Sequence, residues 1–261
     1  MSLTQRRDTV TVEGPDAAKF LQGQLSNDVV ALAVGASCWS FLLDPSGKLG
    51  FVVRVCRQGD ESFLLDGDEG SGAGIERRLR RFLIRTKATI SVGTSIIDVD
   101  GVGTGPALLG WWADGVHRVV ADEAEVDAVE VDDANADELE QRRIRSGWPA
   151  WGHEVVDGLI PGETGLVPLA ASFTKGCYTG QELVARIDSR GNNVPKLLHR
   201  IRLTAPAATG DEIIHDAKSV GALTSVAGLD ALGYLHRTVS AGASLLVGGQ
   251  PATSASLRPE A

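Results

Sequence analysis

The sequence predicts an α+β fold that finishes in a separate all-β unit. Three observations carry this expectation. Apolar patterns run in the order strand, helix, several strands, helix, without the regular alternation of a parallel sheet. One stretch, Ile75–Leu83, is a clear amphipathic helix. Beyond Pro195 short alternating runs recur between glycine-bearing turns and no helical period appears, the texture of a small antiparallel barrel or sandwich of about 65 residues.

Val10-Thr11-Val12 reads as a strand, and Gly14-Pro15-Asp16 opens a helix with proline at its first position. Phe20 and Leu21 form its buried face, and Gln22-Gly23-Gln24 its end. Ser26 is placed to cap a second short helix through Asn27-Asp28-Val29. Cys38–Leu43 and Lys48–Cys56 flank Asp44-Pro45-Ser46-Gly47, a turn sequence, and Ser62–Leu65 is a third strand. The glycine-rich Gly67–Gly74 reads as a flexible loop, since Ile75 stands where a dinucleotide fingerprint needs its third glycine. The next helix buries Ile75, Leu79, Phe82 and Leu83 and turns Arg77, Arg78, Arg80, Arg81 and Arg85 outward, as a solvated face or a surface for an anionic partner. Ala88–Val92, Ile96–Val99, Ala107–Leu109 and Val116–Val120 are short strands, Asp122–Asp133 an acidic surface segment, and Asp137–Ile144 a helix. After Pro195 the strands fall at Leu198–Leu203, Ile213-Ile214, Gly221–Val226, Gly233–Leu235, Ser244–Val247 and Ala255–Leu257.

Composition narrows the function classes. Hydrophobic content of 43% and charged content of 23% are those of a globular chain long enough, at 261 residues, for two domains. With 25 basic against 34 acidic residues the net charge of −9 argues against broad binding to nucleic acid. Cys38, Cys56 and Cys177 are too scattered for a disulfide framework or a zinc site. Met1–Val12 has no signal-peptide core and no run reaches membrane-spanning length, so a cytoplasmic protein is expected.

The most informative stretch is Phe173-Thr174-Lys175-Gly176-Cys177-Tyr178-Thr179-Gly180-Gln181-Glu182. Thr179 and Glu182 have capping-box spacing, followed by an apolar stripe of Leu183, Val184 and Ile187. Cys177 then sits just before a helix N-terminus with Lys175 nearby, a setting that favours thiolate. The alternative is a small buried cysteine in a tight turn.

This stretch, with Val184-Ala185-Arg186, resembles the signature of the YgfZ-type folate-binding proteins, relatives of the aminomethyltransferase (T-protein) of the glycine cleavage system. Gly14-Pro15-Asp16, Phe20–Gln24, Ser26–Val29, Leu43-Asp44-Pro45 with Gly47-Lys48, and the run Arg145, Gly147, Pro149, Gly152, Glu154, Ile160-Pro161 and Glu163 are similar to other parts of that family. The resemblance implies a tri-lobed T-protein-like ring with a C-terminal antiparallel β-barrel. Residues 1–194 would form the folate-binding α+β region, with one lobe of about 1–36 and 134–194 and an inserted lobe of about 37–133, and residues 195–261 the barrel. It implies tetrahydrofolate, or a one-carbon derivative, in the central opening, no stably bound metal, and service to iron–sulfur client or assembly proteins, including enzymes that modify transfer RNA. No membrane partner and no direct nucleic-acid binding are expected.

Under that reading Cys177 is the reactive group and Lys175 biases it towards thiolate, while Gly176, Tyr178, Gly180, Gln181 and Glu182 shape the loop. The cysteine would attack a folate carbon, pass sulfur or iron, or sense oxidation. Alone it cannot hold a cluster. Glu163 is the first candidate to read the pterin edge, with Asn27 and Asp28 next; Trp148 and Trp151 could form the wall, and Arg186 and Arg190 could meet the tail carboxylates. The plainer roles are core packing for the tryptophans and pairing with a helix C-terminus for the arginines. Lys48–Val53 holds no carboxylate where the aminomethyltransferases are acidic, so aminomethyl transfer itself is not expected. A one-carbon transferase and a non-catalytic adaptor with structural folate remain the rival readings.

Overall fold

The computed structural model describes residues 3–101, 107–111, 115–121, 133–189, 191 and 193–257. Strand β1 (Thr4–Glu13) leads into helix α1 (Ala17–Gln24), followed by β2 (Ser37–Leu43), β3 (Leu49–Arg57), β4 (Ser62–Asp68), α2 (Gly72–Arg80), β5 (Thr89–Asp98), β6 (Ala107–Leu109) and β7 (Val116–Ala121). Then come α3 (Asp133–Ser146), a 3₁₀ turn (Pro161–Thr164), α4 (Val167–Ala170) and α5 (Gln181–Asp188). The chain closes with β8 (Lys196–Leu203), β9 (Glu212–His215), β10 (Lys218–Ala227), β11 (Asp230–His236), β12 (Ser244–Val247) and β13 (Gln250–Ala255).

The first seven strands form one sheet in the order β2-β3-β4-β1-β5-β7-β6, and the last six close a barrel in the order β10-β11-β8-β13-β12-β9. The α+β class and the C-terminal antiparallel barrel are as expected. The division of the N-terminal region does not describe this sheet: β1, placed in one lobe, is hydrogen-bonded along its length between β4 and β5, which were placed in the other. An amphipathic strand buries both edges more fully in the centre of a sheet, and its partners lie fifty to ninety residues away.

One face of the sheet is apolar. Val10, Val12, Val53, Val55, Phe63 and Leu65 meet Phe20 and Leu21 of α1 and Ile75 and Leu79 of α2. The other face carries Trp39, Phe41 and Leu43, which pack with Ile144, Trp148, Leu159, Val184 and the barrel residues Leu198, Leu232 and Tyr234. The barrel interior is a third cluster built on Ile201, Ile213, Leu223, Leu235 and Val247.

Several local expectations are corrected. Pro15 precedes α1 rather than entering it, and Asp16 is the N-cap. No helix follows Ser26, whose hydroxyl instead donates to Ala170 O at 2.5 Å and accepts from Phe41 N–H at 2.8 Å. Gly72 and Gly74 lie inside α2, not in a flexible loop, because Asp8 Oδ2 accepts the Gly72 N–H at 2.7 Å and Phe51 packs where a Cβ on Gly74 would stand. The two strands read in 88–99 are one, β5. Of the acidic segment Asp122–Asp133, residues 122–132 lie outside the described residues and Asp133 opens α3. Among the described residues no helix is long and apolar enough to cross a membrane.

Candidate functional site

The cysteine loop joins α4 to α5 and is held by two segments remote in sequence. Residues 22–27, where α1 ends, form the first. Ser172 N–H donates to Ser26 O at 3.0 Å and Thr179 N–H to Gly23 O at 3.0 Å. The Lys175 ammonium donates to Gln22 O, Leu25 O and Asn27 O at 2.7, 2.7 and 2.8 Å. Asn27 Nδ2 donates to Leu169 O and to Trp39 O, which ties the same segment to α4 and to β2. The β2–β3 turn is the second brace. A Cβ on Gly180 would stand 2.5 Å from Asp44 O, and one on Gly47 would stand 2.5 Å from Leu183 Cβ. Both glycines have left-handed backbones, so no other residue fits either position without strain. Helix α2 ties those two segments to each other. Arg78 donates from Nε to Leu43 O at 2.7 Å and from one terminal nitrogen to Gln24 Oε1 at 3.0 Å. Thr179 Oγ1 lies 3.4 Å from that same Gln24 oxygen.

Cys177 is exposed on this braced loop. Two details differ from the sequence expectation. Gly180, not Thr179, is the N-cap of α5, with a left-handed φ of 82° and no side-chain capping bond. The threonine hydroxyl is drawn to Gly23 and Gln24 because docking the loop on α1 satisfies it there. The Lys175 ammonium is likewise turned into its carbonyl cage, and its electrostatic neighbours are Asp28 and Cys38. Burial pulls Lys175 down to about 8, against those two neighbours, which leaves it protonated at neutral pH. Its three donors are those of an ammonium, so the cage suits the charged form. Lys175 thus braces the loop. Cys38, half-buried on β2, is pushed up to about 12 by burial, against the pull of Lys175.

The other loop residues divide by role. Tyr178 packs into the core with its ring 5.2 Å from the Lys175 ammonium, and burial pushes its phenol up to about 12. Gln181 Oε1 accepts the Tyr178 N–H at 3.2 Å. Glu182 is exposed in the first turn of α5, where a carboxylate favours the helix dipole. Gly176 has open space around its α-carbon and needs no special backbone, so close approach does not explain it.

The residues proposed for folate do not converge as a set. Trp148 is buried against Trp39, ring centroids 4.5 Å apart, and is a core residue. Asn27 spends its amide on backbone carbonyls, and Asp28 Oδ1 accepts from Gln22 Nε2 and Ala31 N–H. Both build the loop rather than a ligand wall. Trp151 is 37% exposed and stacks on Phe51 at 6.0 Å. Arg186 is exposed in the last turn of α5, and Arg190 lies outside the described residues. Glu163 differs from all of these. It is 4% exposed on the 3₁₀ turn, and its Oε2 accepts a bond from Ile160 N–H at 3.2 Å. Burial pushes its carboxyl up, against that bond and the lysines Lys196 and Lys48.

Sequence reasoning missed a buried ionic centre on the sheet. Asp66 is bridged by Arg7 Nε at 2.6 Å and Arg54 Nε at 2.8 Å, and Arg54 also reaches Leu109 O and His117 Nδ1 at 2.9 and 3.0 Å. Burial pushes Asp66 up, but the two guanidinium groups outweigh it and hold the carboxyl below its usual range. The available signal was Arg54 itself, a charge inside the apolar run Phe51–Val55. Lys48 and Lys196, the cations facing Glu163, carried no local signal.

The fold has solved counterparts. An aminomethyltransferase T of the glycine cleavage system from Bartonella henselae superposes with a TM-score of 0.81 over 98% of this chain and 86% of its own, at 15% identity. The molecule is therefore a T-protein-like α+β protein with a braced, cysteine-bearing loop. Residues 196–258 match the family model described as "CAF17, C-terminal beta-barrel domain". An uncharacterized protein of Haemophilus influenzae is 32% identical over 249 residues, 90% of this chain and 87% of that protein. Proteins named tRNA-modifying protein YgfZ are 28% identical in Vibrio vulnificus, over 90% of this chain and 79% of theirs, and 29% identical in Serratia proteamaculans, over 70% and 65%. The chain belongs to the YgfZ-type family of T-protein-like proteins.

Proposed function

We propose that the protein binds tetrahydrofolate or a one-carbon derivative and supports the assembly or repair of iron–sulfur enzymes, tRNA-modifying ones among them, with Cys177 as its reactive group. The observation that carries the reading is an exposed thiol mounted on a loop held by two separate segments, the end of α1 and the β2–β3 turn. A cysteine needed only for packing would be buried. All three cysteines are free thiols, in keeping with action in the cytoplasm.

Glu163 fits a pterin. Its buried carboxylate has acceptor capacity beyond the Ile160 N–H, and the pyrimidine edge of a pterin offers adjacent N–H donors that a carboxylate accepts in pairs. Lys48 and Lys196 supply positive charge beside it. Bound folate would supply one-carbon chemistry. The chain's own share is to orient the ring through Glu163 and to present the Cys177 sulfur to folate or to a client protein. Aminomethyl transfer itself is disfavoured, since Lys48–Val53 holds no carboxylate and Asp66 is committed to Arg7 and Arg54.

Calorimetric titration with tetrahydrofolate tests the reading, run beside Glu163→Gln. Gln keeps an acceptor for Ile160 N–H but turns a donor towards the pterin donors. Saturable binding by the native protein, weakened about tenfold or more by the substitution, is the expected result. No binding to the native protein removes folate from this account. Full complementation of a deletion strain by Cys177→Ser would make the protein an adaptor.

A further inference from the structure

We infer that Lys48 makes the Glu163 site specific for a 4-oxo pterin, donating to the ring oxygen O4 while Glu163 accepts from the two ring donors next to it. The inference rests on the folate reading above and adds to it a residue that sets specificity.

Three chain segments meet at Glu163. The β2–β3 turn is tied to the segment before the 3₁₀ turn by Leu49 N–H, which donates to Leu159 O at 2.8 Å. That bond sets Lys48, the preceding residue, against the run that carries Glu163. The start of β8 packs on the same 3₁₀ turn. A Cβ on Gly162 would stand 3.0 Å from Val194 Cγ1, and Lys196 follows two residues later. Lys196 and Lys48 are thus cations whose charge reaches the Glu163 carboxylate.

Neither closes on it. Among the described residues Glu163 makes no ion pair, and the one bond its side chain accepts is that of Ile160 N–H on Oε2. Its Oε1 is not sealed in, so this otherwise buried residue turns an acceptor outward. The Lys196 ammonium is held over the Tyr234 ring, 4.4 Å from its centroid. Lys48 is half-buried, and its ammonium has no carboxylate, carbonyl or ring partner among the described residues. A carboxylate and an ammonium that stand near each other without pairing suit a ligand offering donors to one and an acceptor to the other.

The edge of a 4-oxo pterin has that order: the 2-amino group, N3–H, then O4. The carboxylate accepts from the first two. An ammonium has donors only, so O4 is the atom it can meet. In a 4-amino pteridine N3 carries a lone pair and the 4-substituent donates. The ring then turns a lone pair towards Glu163 and an N–H₂ group towards Lys48, and both contacts fail. A site built to hydrogen-bond one substrate group rejects the analogue that lacks it, because its own polar groups are left unpaired.

Anaerobic calorimetry tests this with tetrahydrofolate and its 4-amino analogue, tetrahydroaminopterin, on the native protein and on Lys48→Met. The native protein should bind the analogue about a hundredfold more weakly. In Lys48→Met tetrahydrofolate should lose about tenfold, whereas the analogue should bind more tightly than it does to the native protein. A damaged fold cannot produce that gain. Equal affinities on the native protein, or a preference unchanged in Lys48→Met, overturns the inference and leaves the folate reading standing. Binding of neither compound overturns both.

Discussion

Replacing Lys175 with Met removes the ammonium from its carbonyl cage and keeps a stem of similar length. Three bonds of 2.7–2.8 Å to Gln22 O, Leu25 O and Asn27 O disappear together. A hydrogen bond to a charged group contributes about 1.5–3 kcal/mol. The site is half-buried, so water reaches part of the cage, and the substitution also relieves the cost of burying the charge. The net loss is then close to a single such bond, about 2 kcal/mol. Urea denaturation measures it, and hydrogen exchange localises it. The N–H groups of Thr179 and Ser172, which cross from the loop to Gly23 O and Ser26 O, should exchange faster by the same free energy. Lys175→Arg should not restore them, because a planar guanidinium cannot point three donors at three converging carbonyls. A loss below about 0.5 kcal/mol with unchanged exchange would refute the bracing role.

The remaining predictions concern backbone fit and acid. Gly180→Ala should cost about 2–3 kcal/mol, from a left-handed alanine and a Cβ driven to 2.5 Å from Asp44 O, whereas Gly176→Ala, with open space around it, should stay within about 0.5 kcal/mol. Equal thermal shifts for the two would show that the hairpin contact does not matter. His117 is held far below its ordinary value, to about 3, by burial and then by Arg54. The unfolded chain therefore binds a proton that the folded one refuses between pH 6.5 and about 3, and stability should fall as pH drops through that window, by up to about 5 kcal/mol in all. His117→Gln keeps an acceptor for Arg54 and should flatten the urea midpoint between neutral pH and the acid limb; an unchanged slope would acquit the histidine.

Much of the fold was legible because it rests on local chemistry. Asp44-Pro45-Ser46-Gly47 closes the β2–β3 hairpin where turn residues require it, with Gly47 at φ 86°. The barrel strands follow period-two patterning, as in β8, where Ile201 and Leu203 face inwards and Arg202 outwards. The cysteine loop was legible as a unit of sequence, but its internal bonding was not. Thr179 and Glu182 have the spacing of a capping box, and in isolation they would form one. Docking offers Thr179 other partners, and the close contact with Asp44 demands a glycine at 180.

The sequence by itself determined the α+β class, the hairpin, the amphipathic helix α2 and the barrel, since each is written in neighbouring residues through turn chemistry and periodicity. Only the tertiary structure decided that β1 lies mid-sheet, that Asp66 sits between Arg7 and Arg54, and that Lys175 grips a segment some 150 residues earlier. Periodicity says that a strand or a charge must be buried. It does not say against what, because the partner is chosen by how whole elements pack, and that information is spread along the entire chain.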